Sequence, residues 1–361
     1  MKQLTVKVPG KLMVAGEFAV LEPNYPLVAM AVNRFVYAKV RKTKKNHISL
    51  PDIDVANTGW SFNGKNVRIN TKSYRTSFVQ TAMSIALRYL TEQNVNLTPF
   101  SLVVHSELDD KKTKAKYGLG SSAAVTTAVV RAIVELFLED KATDELIFKL
   151  ASIAHVKTQG NGSGADVAAS TYTGVILYTS FQAEWLLKEI NKAKKVSELV
   201  EKDWTYMSVE KITLPTDVQL AVGWTGKPAS TKSLVKEIKK MNDDQKVIYE
   251  EFLDKSKRAV EQIVTGMKES DVPLFFTGIV QNRQALARIG EKAKVPIETE
   301  KLCLLSEEAI RLGGTGKLSG AGGGDCGIAF LPRTVERSTL HKAWKKHGIK
   351  PLYLKVYDRT E

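Results

Sequence analysis

The spacing of apolar residues predicts strands at the start of the chain. Apolar and polar positions alternate over residues 4–8 and again over about 28–41, and a further strand is predicted over 99–107. Residues 46–72 hold short alternating pieces that are interrupted by Asn, Gly and Pro. This pattern is typical of hairpins at the edge of a sheet.

Helices are predicted where apolar residues recur every three or four positions. The clearest helix lies over 121–138, and one of its faces carries Val125, Ala128, Val129, Ala132, Ile133, Leu136 and Phe137. Further helices are predicted over 73–92, 144–159, 231–241, 244–268, 271–293, 298–312 and 335–347, and further strands over 173–179, 218–224 and 352–357. Because helices and strands come in runs rather than in regular β-α-β alternation, the pattern predicts the α+β class.

The composition is that of a globular protein with a large excess of positive charge. The chain has 361 residues, which is enough for two ordinary domains; 43% of them are hydrophobic and the net charge is +14. Such a charge suits nucleic acid, multiply anionic small molecules or merely a solvated surface. No recognition helix, zinc finger or aromatic RNA-binding signature accompanies the lysines, so nucleic acid is not an expected partner.

Cysteine content and the N-terminus bear on the compartment. Cys303 and Cys326 are too few for a disulfide framework and lie in no metal-ligand spacing. The first nine residues alternate like a strand, unlike a secretory signal, and no apolar run approaches the roughly 20 residues of a membrane span. We therefore expect a cytoplasmic protein without a membrane partner, and the sequence leaves a homodimer open.

Residues 118–123, Gly-Leu-Gly-Ser-Ser-Ala, open the clearest predicted helix. Free N–H groups and the positive end of the helix dipole meet at such a point, and an anion fits there without any side chain. Gly118 and Gly120 carry no Cβ and let the backbone approach an anion closely. The segment favours phosphate binding, although Ser121 or Ser122 acting only as an N-cap is the plainer alternative.

Three further segments carry candidate chemistry. Residues 320–327 hold five glycines in eight positions, which suggests close approach to a ligand rather than a simple strand entry. Lys11, between a predicted strand and an apolar stretch, is either a surface residue or a charge aimed into a cleft. A loop over 159–166 ends at Asp166, which is either a functional carboxylate or only a helix cap.

Taken in order, these motifs resemble the GHMP kinase superfamily, which includes galactokinase and the homoserine, mevalonate and phosphomevalonate kinases. The resemblance rests on Pro9-Gly-Lys-x-x-x-x-Gly-Glu17, on residues 118–123 and on Ser319-Gly-Ala-Gly-Gly-Gly324. The Gly-Glu-Phe-Ala-Val-Leu-Glu-Pro run over 16–23, the Trp-Thr-Gly-Lys segment within 223–231 and the Asp325 that follows the glycines are similar to bacterial-type phosphomevalonate kinases.

This resemblance implies a two-domain GHMP kinase fold. An N-terminal domain related to ribosomal protein S5 domain 2 is expected over 1–182, a connecting region over 183–211 and a ferredoxin-like domain over 212–361, with the site in the cleft between the domains. The implied reaction is transfer of the γ-phosphoryl group of ATP to (R)-5-phosphomevalonate, giving 5-diphosphomevalonate in the mevalonate route to isoprenoids. ATP and phosphomevalonate are thus the implied small-molecule partners, and Mg²⁺ is the implied cofactor.

Residue roles follow from the same resemblance. Lys11 is implied to offset charge on the phosphoryl group in transit, and Asp166 to act as a base or an orienter. ATP is implied to lie on Lys116, Gly118, Leu119, Gly120, Ser121, Ser122 and Ala123, with the Ser122 hydroxyl reaching Mg²⁺. The implied substrate contacts are Lys11, Ser163, Gly164, Gly320, Ala321, Gly322 and Gly323, and the candidate cations for the acceptor phosphate are Lys227, Arg75 and Arg283.

Two features depart from the patterns of related kinases. Mevalonate kinases carry, eleven residues before the Asp, a Glu that helps to bind Mg²⁺; here that position is His155, whose neutral imidazole is a poor ligand for a hard cation. We expect His155 to be a packed or solvent-facing helix residue. The lysine-rich run over 111–116 replaces a proline often found before Gly-Leu-Gly, and it either covers the nucleotide phosphates or forms a mobile loop.

Two other functions stay open. One is mevalonate kinase or another GHMP kinase with an alcohol acceptor. The other is a non-catalytic binding protein on the same fold, which would be expected to lack Lys11, the serine pair or Asp166. The chain keeps all of them.

Overall fold

Two sheets, one in each half of the chain, organise the computed structural model, which describes residues 3–110, 113, 115–229 and 231–360. The N-terminal half contains strands β1 (Gln3–Ala15), β2 (Pro26–Lys42), β3 (His47–Leu50), β4 (Val55–Phe62), β5 (Val67–Ile69), β6 (Phe100–Ser106), β7 (Val175–Thr179) and β8 (Ser208–Ile212), and helices α1 (Ser77–Glu92), α2 (Ser121–Leu138), α3 (Asp144–Gln159), α4 (Ala165–Tyr172), α5 (Ala183–Lys192) and α6 (Val196–Glu201). The C-terminal half contains strands β9 (Val218–Trp224), β10 (Thr315–Leu318), β11 (Cys326–Pro332) and β12 (Lys350–Leu352), and helices α7 (Thr231–Asp244), α8 (Lys246–Lys268), α9 (Val272–Ala293), α10 (Glu300–Arg311) and α11 (Arg337–Lys346).

The N-terminal sheet is built around the long strand β2. The sheet is eight-stranded, with the order β5-β4-β3-β6-β2-β7-β8, and β1 lies along the other edge of β2 from Gln3↔Arg41 to Ala15↔Val28. Every pairing is antiparallel except β3 with β6. Helix α2 packs on β1 and β2, with α1 and α3 beside it. The sheet therefore places the Pro9-Gly-Lys segment of β1 beside the N-terminus of α2.

Helix α2 is confirmed over the predicted residues, and it is more apolar than an amphipathic surface helix. Its buried positions are continuous from Thr126 to Val134. By length and hydropathy alone the segment Ser121–Lys141 could cross a membrane, contrary to the expectation that no apolar run approaches that length. Because it is mostly buried among the strands and helices around it, the fold itself accounts for its apolar character.

The segment predicted to connect the halves is an ordered part of the N-terminal layer. Strand β8 extends the sheet by pairing with β7, from Val175↔Ile212 onward. The Glu92 carboxylate accepts the backbone N–H groups of Val196 and Ser197, at 3.0 and 2.7 Å, at the start of α6. The domain limits at 182 and 212 stay predictions, but the intervening chain is not a free linker.

The C-terminal sheet has the ferredoxin-like strand order. Its four strands follow the order β10-β11-β9-β12 and are antiparallel throughout. Leu305 of α10 and Trp344 of α11 pack on one face, and Phe275 of α9 packs against Phe330 of β11 on the other. The predicted strand over 352–357 is wrong in length, because beyond Leu352 the backbone leaves the sheet and runs back to β2, where Val356 bridges Val32.

The two halves share one hydrophobic core and a buried ion pair. Ile263 and Phe275 of the C-terminal helices belong to the same cluster of buried residues as the N-terminal sheet. The Lys317 ammonium on β10 lies 2.5 Å from the Glu17 carboxylate, just after β1, and both side chains are almost fully buried. Burial lowers the pKa of Lys317, and the adjacent carboxylate opposes that change. The cleft is thus framed by a fixed contact between the halves.

We predict that Lys317→Met destabilises the protein by about 3–5 kcal/mol, because it leaves the Glu17 carboxylate buried without its counterion. The measurement is the midpoint and slope of urea denaturation. The matched control is Lys246→Met, which removes the same side chain from an exposed pair with Glu250 at 3.7 Å. The control should change the free energy of unfolding by less than about 0.5 kcal/mol. Equal effects of the two substitutions would contradict the role assigned to the buried pair.

Candidate active site

Lys11 lies at the centre of the cluster that the sequence motifs form. It is on β1, and only 5% of its surface is exposed. Its ammonium lies 3.4 Å from the carbonyl oxygen of Gly118 and 3.7 Å from Oδ1 of Asp166. Its backbone N–H donates to the carbonyl oxygen of Leu119 at 3.0 Å. The structure therefore brings together Lys11, the glycine turn and Asp166, and it excludes the alternative of Lys11 as a surface residue.

The turn at 118–120 is shaped by what lies against its glycines. Gly118 has φ of 82°, and a Cβ at this position would lie 2.6 Å from the side chain of Asp325. Gly120 has φ of 74°, and a Cβ there would lie 3.2 Å from the Lys11 side chain and 3.3 Å from Asp166. Both positions have a left-handed backbone that glycine adopts readily, and the neighbouring side chains leave little room for a Cβ.

The turn feeds the N-terminus of α2, as predicted. Gly120 is the N-cap, and among the residues that the structure describes no side chain caps the helix. The plainer alternative, in which Ser121 or Ser122 only caps the helix, is therefore wrong, and both half-buried hydroxyls are left for other partners. Free N–H groups, the helix dipole and a cation converge there, which is the arrangement that binds phosphate oxygens.

Asp166 lies in the first turn of α4, where the cap is Gly164 rather than Asp166. A Cβ on Gly164 would lie 2.2 Å from the ring of Phe181, so only glycine fits. The preceding Ser163 carbonyl accepts the hydroxyls of Tyr178 and Ser180, at 2.6 and 2.9 Å. These contacts hold the loop and leave the Asp166 side chain 32% exposed beside Lys11.

A second carboxylate, Asp325, reaches the site from the C-terminal half. Its Oδ1 accepts the backbone N–H of Ala229 at 3.1 Å, and its own N–H donates to the Lys227 carbonyl at 2.8 Å. Burial raises its pKa, while the Ala229 N–H and the charges of Lys11 and Lys116 oppose the rise. Sequence reasoning assigned Asp325 no role beyond the resemblance, although a lone carboxylate among glycines was a signal for it.

The glycine-rich loop between β10 and β11 closes the same side of the cleft. Ser319 Oγ accepts the N–H of Met13 at 2.8 Å, and Gly320 N–H donates to Glu17 at 3.4 Å. A Cβ on Gly322 would lie 2.2 Å from the Ile297 carbonyl, and one on Gly324 would lie 2.6 Å from the Lys227 carbonyl. Close approach to protein backbone therefore explains why these two positions are glycine.

Gly320 differs, because it has φ of 90° and no atom of the described residues lies within 4 Å of a Cβ position there. It is the glycine of this loop that faces open space beside the Glu17 carboxylate. The substrate contacts predicted for Gly320, Ala321, Gly322 and Gly323 stay predictions, and Gly320 is the one with room for a ligand.

His155 is packed rather than solvent-facing. It lies near the end of α3, is 6% exposed, and its ring stacks near Phe78 with centroids 5.4 Å apart. Its Nε2 lies 3.2 Å from the Ser122 hydroxyl. Burial lowers its pKa, opposed by the charge of Asp166, so the imidazole is neutral near pH 7. The sequence did not predict this link between α3 and the serine pair.

The start of the glycine turn is anchored across the cleft through Tyr117. The Tyr117 hydroxyl donates to Asp110 at 2.7 Å, and the Lys350 ammonium contacts the same carboxylate oxygen at 2.5 Å. Hydrogen bonds from Lys350, Thr113 and Tyr117 hold the pKa of Asp110 well below its usual range. Both ends of the lysine-rich run are thus tied down, while Lys111, Lys112 and Lys114 lie outside the described residues and their predicted role stays open.

The basic residues predicted to bind ATP or the acceptor phosphate differ in exposure and in partners. Lys116 is exposed and close enough to influence Asp325 electrostatically. Arg75 and Lys227 are exposed. Arg283 is held by Glu298, with Nε–Oε1 at 2.6 Å, so its guanidinium already has a carboxylate partner. Contact of these cations with the acceptor phosphate stays a prediction, and Arg283 is the least free of the three acceptor candidates.

The donor set suits Mg²⁺ that is held mainly by phosphate oxygens. No group of three or more His, Cys, Asp or Glu side chains within the described ranges could hold a metal alone. Mg²⁺ keeps several waters and commonly binds through one or two protein oxygens and substrate phosphates. The half-buried Ser122 hydroxyl at the helix N-terminus is such an oxygen. The residues present therefore fit a magnesium-nucleotide complex rather than a resident ion.

Two family models match the chain. Residues 78–174 match the GHMP kinases N terminal domain, and residues 252–350 match the GHMP kinases C terminal model. A phosphomevalonate kinase of Streptomyces sp. (strain CL190) is 33% identical over 359 residues, covering 96% of this chain and 95% of the relative. A mevalonate kinase of Thermococcus sibiricus is 26% identical and covers 96% of this chain and 94% of the relative.

Solved structures show the same arrangement of both halves. The Lin0012 protein from Listeria innocua is 35% identical with a TM-score of 0.91, and the match covers 99% of each chain. Streptococcus pneumoniae phosphomevalonate kinase in complex with phosphomevalonate and AMPPNP is 27% identical with a TM-score of 0.84, covering 98% of this chain and 100% of that chain.

We predict that Gly118→Ala weakens binding of a non-hydrolysable ATP analogue by at least about tenfold, because it adds a Cβ at positive φ against Asp325. The matched control is Gly64→Ala, which has a similar φ of 85° but open space around its Cβ position. Both variants should lose stability in thermal unfolding because of the positive φ, Gly118→Ala more than Gly64→Ala because of its contact with Asp325, and only Gly118→Ala should lose nucleotide affinity in a fluorescence titration. Wild-type affinity in Gly118→Ala would show that the turn does not hold phosphate.

Proposed function

We propose that this chain, which belongs to the GHMP kinase family, transfers the γ-phosphoryl group of ATP to the phosphate of (R)-5-phosphomevalonate. The observation that carries the proposal is the position of the Lys11 ammonium. It lies between the Gly118 carbonyl and Asp166, at the N-terminus of α2. The relative at 33% identity and the liganded neighbour at 27% identity support phosphomevalonate as the acceptor.

The reaction demands charge compensation more than covalent chemistry. An acceptor phosphate oxygen attacks the γ-phosphorus of ATP, the bond from that phosphorus to the β,γ-bridging oxygen breaks, and ADP leaves with the electron pair. Both substrates are polyanions that repel each other, so positive groups must hold them together. Lys11 and the N–H groups at 118–122 supply fixed positive charge at the point of transfer.

Asp166 is assigned to orientation rather than to strong base catalysis. A phosphate monoester has a second pKa near 6, so the acceptor is largely a dianion at neutral pH and needs little help in losing a proton. The Asp166 carboxylate lies 3.7 Å from the Lys11 ammonium and can fix its direction. Asp325 faces the same turn from the other half of the chain.

When bound with ATP, Mg²⁺ would supply further charge neutralisation on the nucleotide, and Ser122 is the residue that would contact it. We also propose a cytoplasmic location, because Cys303 and Cys326 are free thiols. A homodimer and the exclusion of nucleic acid and membrane remain proposals from the sequence alone.

An acceptor screen tests the function. With magnesium and ATP, we expect kcat/KM for phosphomevalonate to exceed that for mevalonate by at least about a hundredfold. Mevalonate lacks the acceptor phosphate, so the protein groups that bind this phosphate would have no partner when mevalonate is bound. The measurement is ADP release in a coupled assay, with Lys11→Met as the control for contaminating kinases. Turnover of mevalonate alone would make the chain an alcohol kinase and contradict the proposal.

A second test concerns the two central residues. We expect Lys11→Met and Asp166→Asn each to lower kcat/KM for phosphomevalonate by about 10²–10⁴, because one loses the charge at the transferred group and the other its orientation. Nucleotide affinity of Asp166→Asn should stay within several-fold of the parent, since the phosphate turn is untouched. Near-normal turnover of Asp166→Asn would remove any central role for that carboxylate.

A further inference from the structure

One partly buried contact at the site has no part in the mechanism above. His155 Nε2 lies 3.2 Å from the hydroxyl oxygen of Ser122, the residue placed nearest to the magnesium-nucleotide complex. The imidazole comes from α3, and Ser122 comes from the first turn of α2. Packing of α3 against both α1 and α2 fixes the ring in place, and Phe78 lies against its face.

The chemistry of a hydroxyl ligand explains why such a partner is needed. A serine hydroxyl has one proton to donate and two lone pairs to offer. When the oxygen turns its lone pairs toward a cation, the proton must point elsewhere, and a buried proton without an acceptor carries a desolvation cost. Among the described residues, His155 Nε2 is the side-chain atom within hydrogen-bond distance that can accept the Ser122 proton.

We propose that His155 is a positioning residue that accepts the Ser122 hydroxyl proton and so turns the lone pairs of Ser122 toward the nucleotide-bound Mg²⁺. His155 is then not a metal ligand itself but sets the direction of one. This inference rests on the proposed kinase function and adds a residue to it. It does not depend on which acceptor is used, because it concerns the nucleotide half of the site.

Two alternative roles of His155 predict different results. If Nε2 carried the proton and donated to Ser122, the hydroxyl would be free to donate to a phosphate oxygen, and nucleotide binding without metal would depend on His155. If His155 were only a packing residue, its loss would act through stability and would be independent of Ser122. Measurements with and without Mg²⁺, on single and double variants, separate the three cases.

The experiment is a double-mutant cycle on equilibrium binding of AMPPNP to the full chain, in excess Mg²⁺ and in EDTA, with no acceptor present. We expect His155→Phe and Ser122→Ala each to weaken the magnesium-dependent affinity by about tenfold, the size of one hydrogen bond to a polar partner. The magnesium-dependent affinity of the double variant should lie within about twofold of that of Ser122→Ala, because the two substitutions remove the same interaction. In EDTA all variants should stay within about twofold of the parent.

Two controls guard against a loss of folding. His341→Phe removes another buried imidazole, tilted against Trp344 in α11, and should leave nucleotide affinity unchanged. His155→Gln places an amide oxygen that can accept the same proton, and should recover most of the magnesium-dependent affinity. Thermal unfolding of each variant confirms that the titrated protein is folded.

Three results would overturn the proposal. Losses that multiply in the double variant to about a hundredfold would show independent action. Equal weakening in EDTA would show that the contact serves phosphate rather than cation. Parent affinity in His155→Phe would show that Ser122 needs no partner. None of these outcomes bears on the acceptor, so the acceptor screen stands or fails separately.

Discussion

The buried ion pair between Glu17 and Lys317 is the contact on which the geometry of the cleft depends. It joins the loop after β1 to the strand that leads into the glycine-rich loop, and neither side chain reaches solvent. The Lys317 ammonium also donates to the Leu318 carbonyl, and Glu17 accepts the Gly320 N–H, so the pair is tied into the backbone on both sides. Because a lone buried charge is strongly unfavourable, neither side chain can leave the pair while its partner stays buried, and this couples the two halves at that point. Lys11 and the glycine turn are therefore presented to a partner surface that is already in place.

Near this ion pair, the candidate active site places lysine side chains beside carboxylates. Lys11 lies close to the Asp166 carboxylate, and its charge and that of Lys116 also reach Asp325. Two carboxylates beside a polyphosphate site would repel substrate if they stood alone. The Lys11 ammonium, 3.7 Å from the Asp166 carboxylate, offsets that negative charge, and the charges of Lys11 and Lys116 act on Asp325. The large positive charge of the chain then raises the rate at which anionic substrates arrive, and the fixed cations hold them.

Much of this could be predicted from the sequence because the signals were local. Helix α2 was predicted to its end residues, since apolar periodicity and the glycine turn mark both its face and its start. The convergence of Lys11, the turn and Asp166 came from ordered motifs and not from periodicity. The ion pair of Glu17 with Lys317, 300 residues apart in the chain, has no local signature. The same holds for the contact of Ser122 with His155 and for the packing of the segment 183–212 on the N-terminal sheet, which depend on tertiary arrangement alone.

The glycine-rich loop shows why a dense motif does not by itself identify a ligand contact. A missing Cβ is equally useful against a ligand, a side chain or a neighbouring backbone, and the sequence cannot distinguish the three. In this chain Gly322 and Gly324 meet the carbonyls of Ile297 and Lys227, whereas Gly320 faces open space. The close-packed glycines bring Asp325 to the turn at Gly118, and the open one leaves room beside Glu17. The motif therefore combines two kinds of glycine: Gly322 and Gly324 pack against backbone of the C-terminal half, and Gly320 leaves space around its Cβ position.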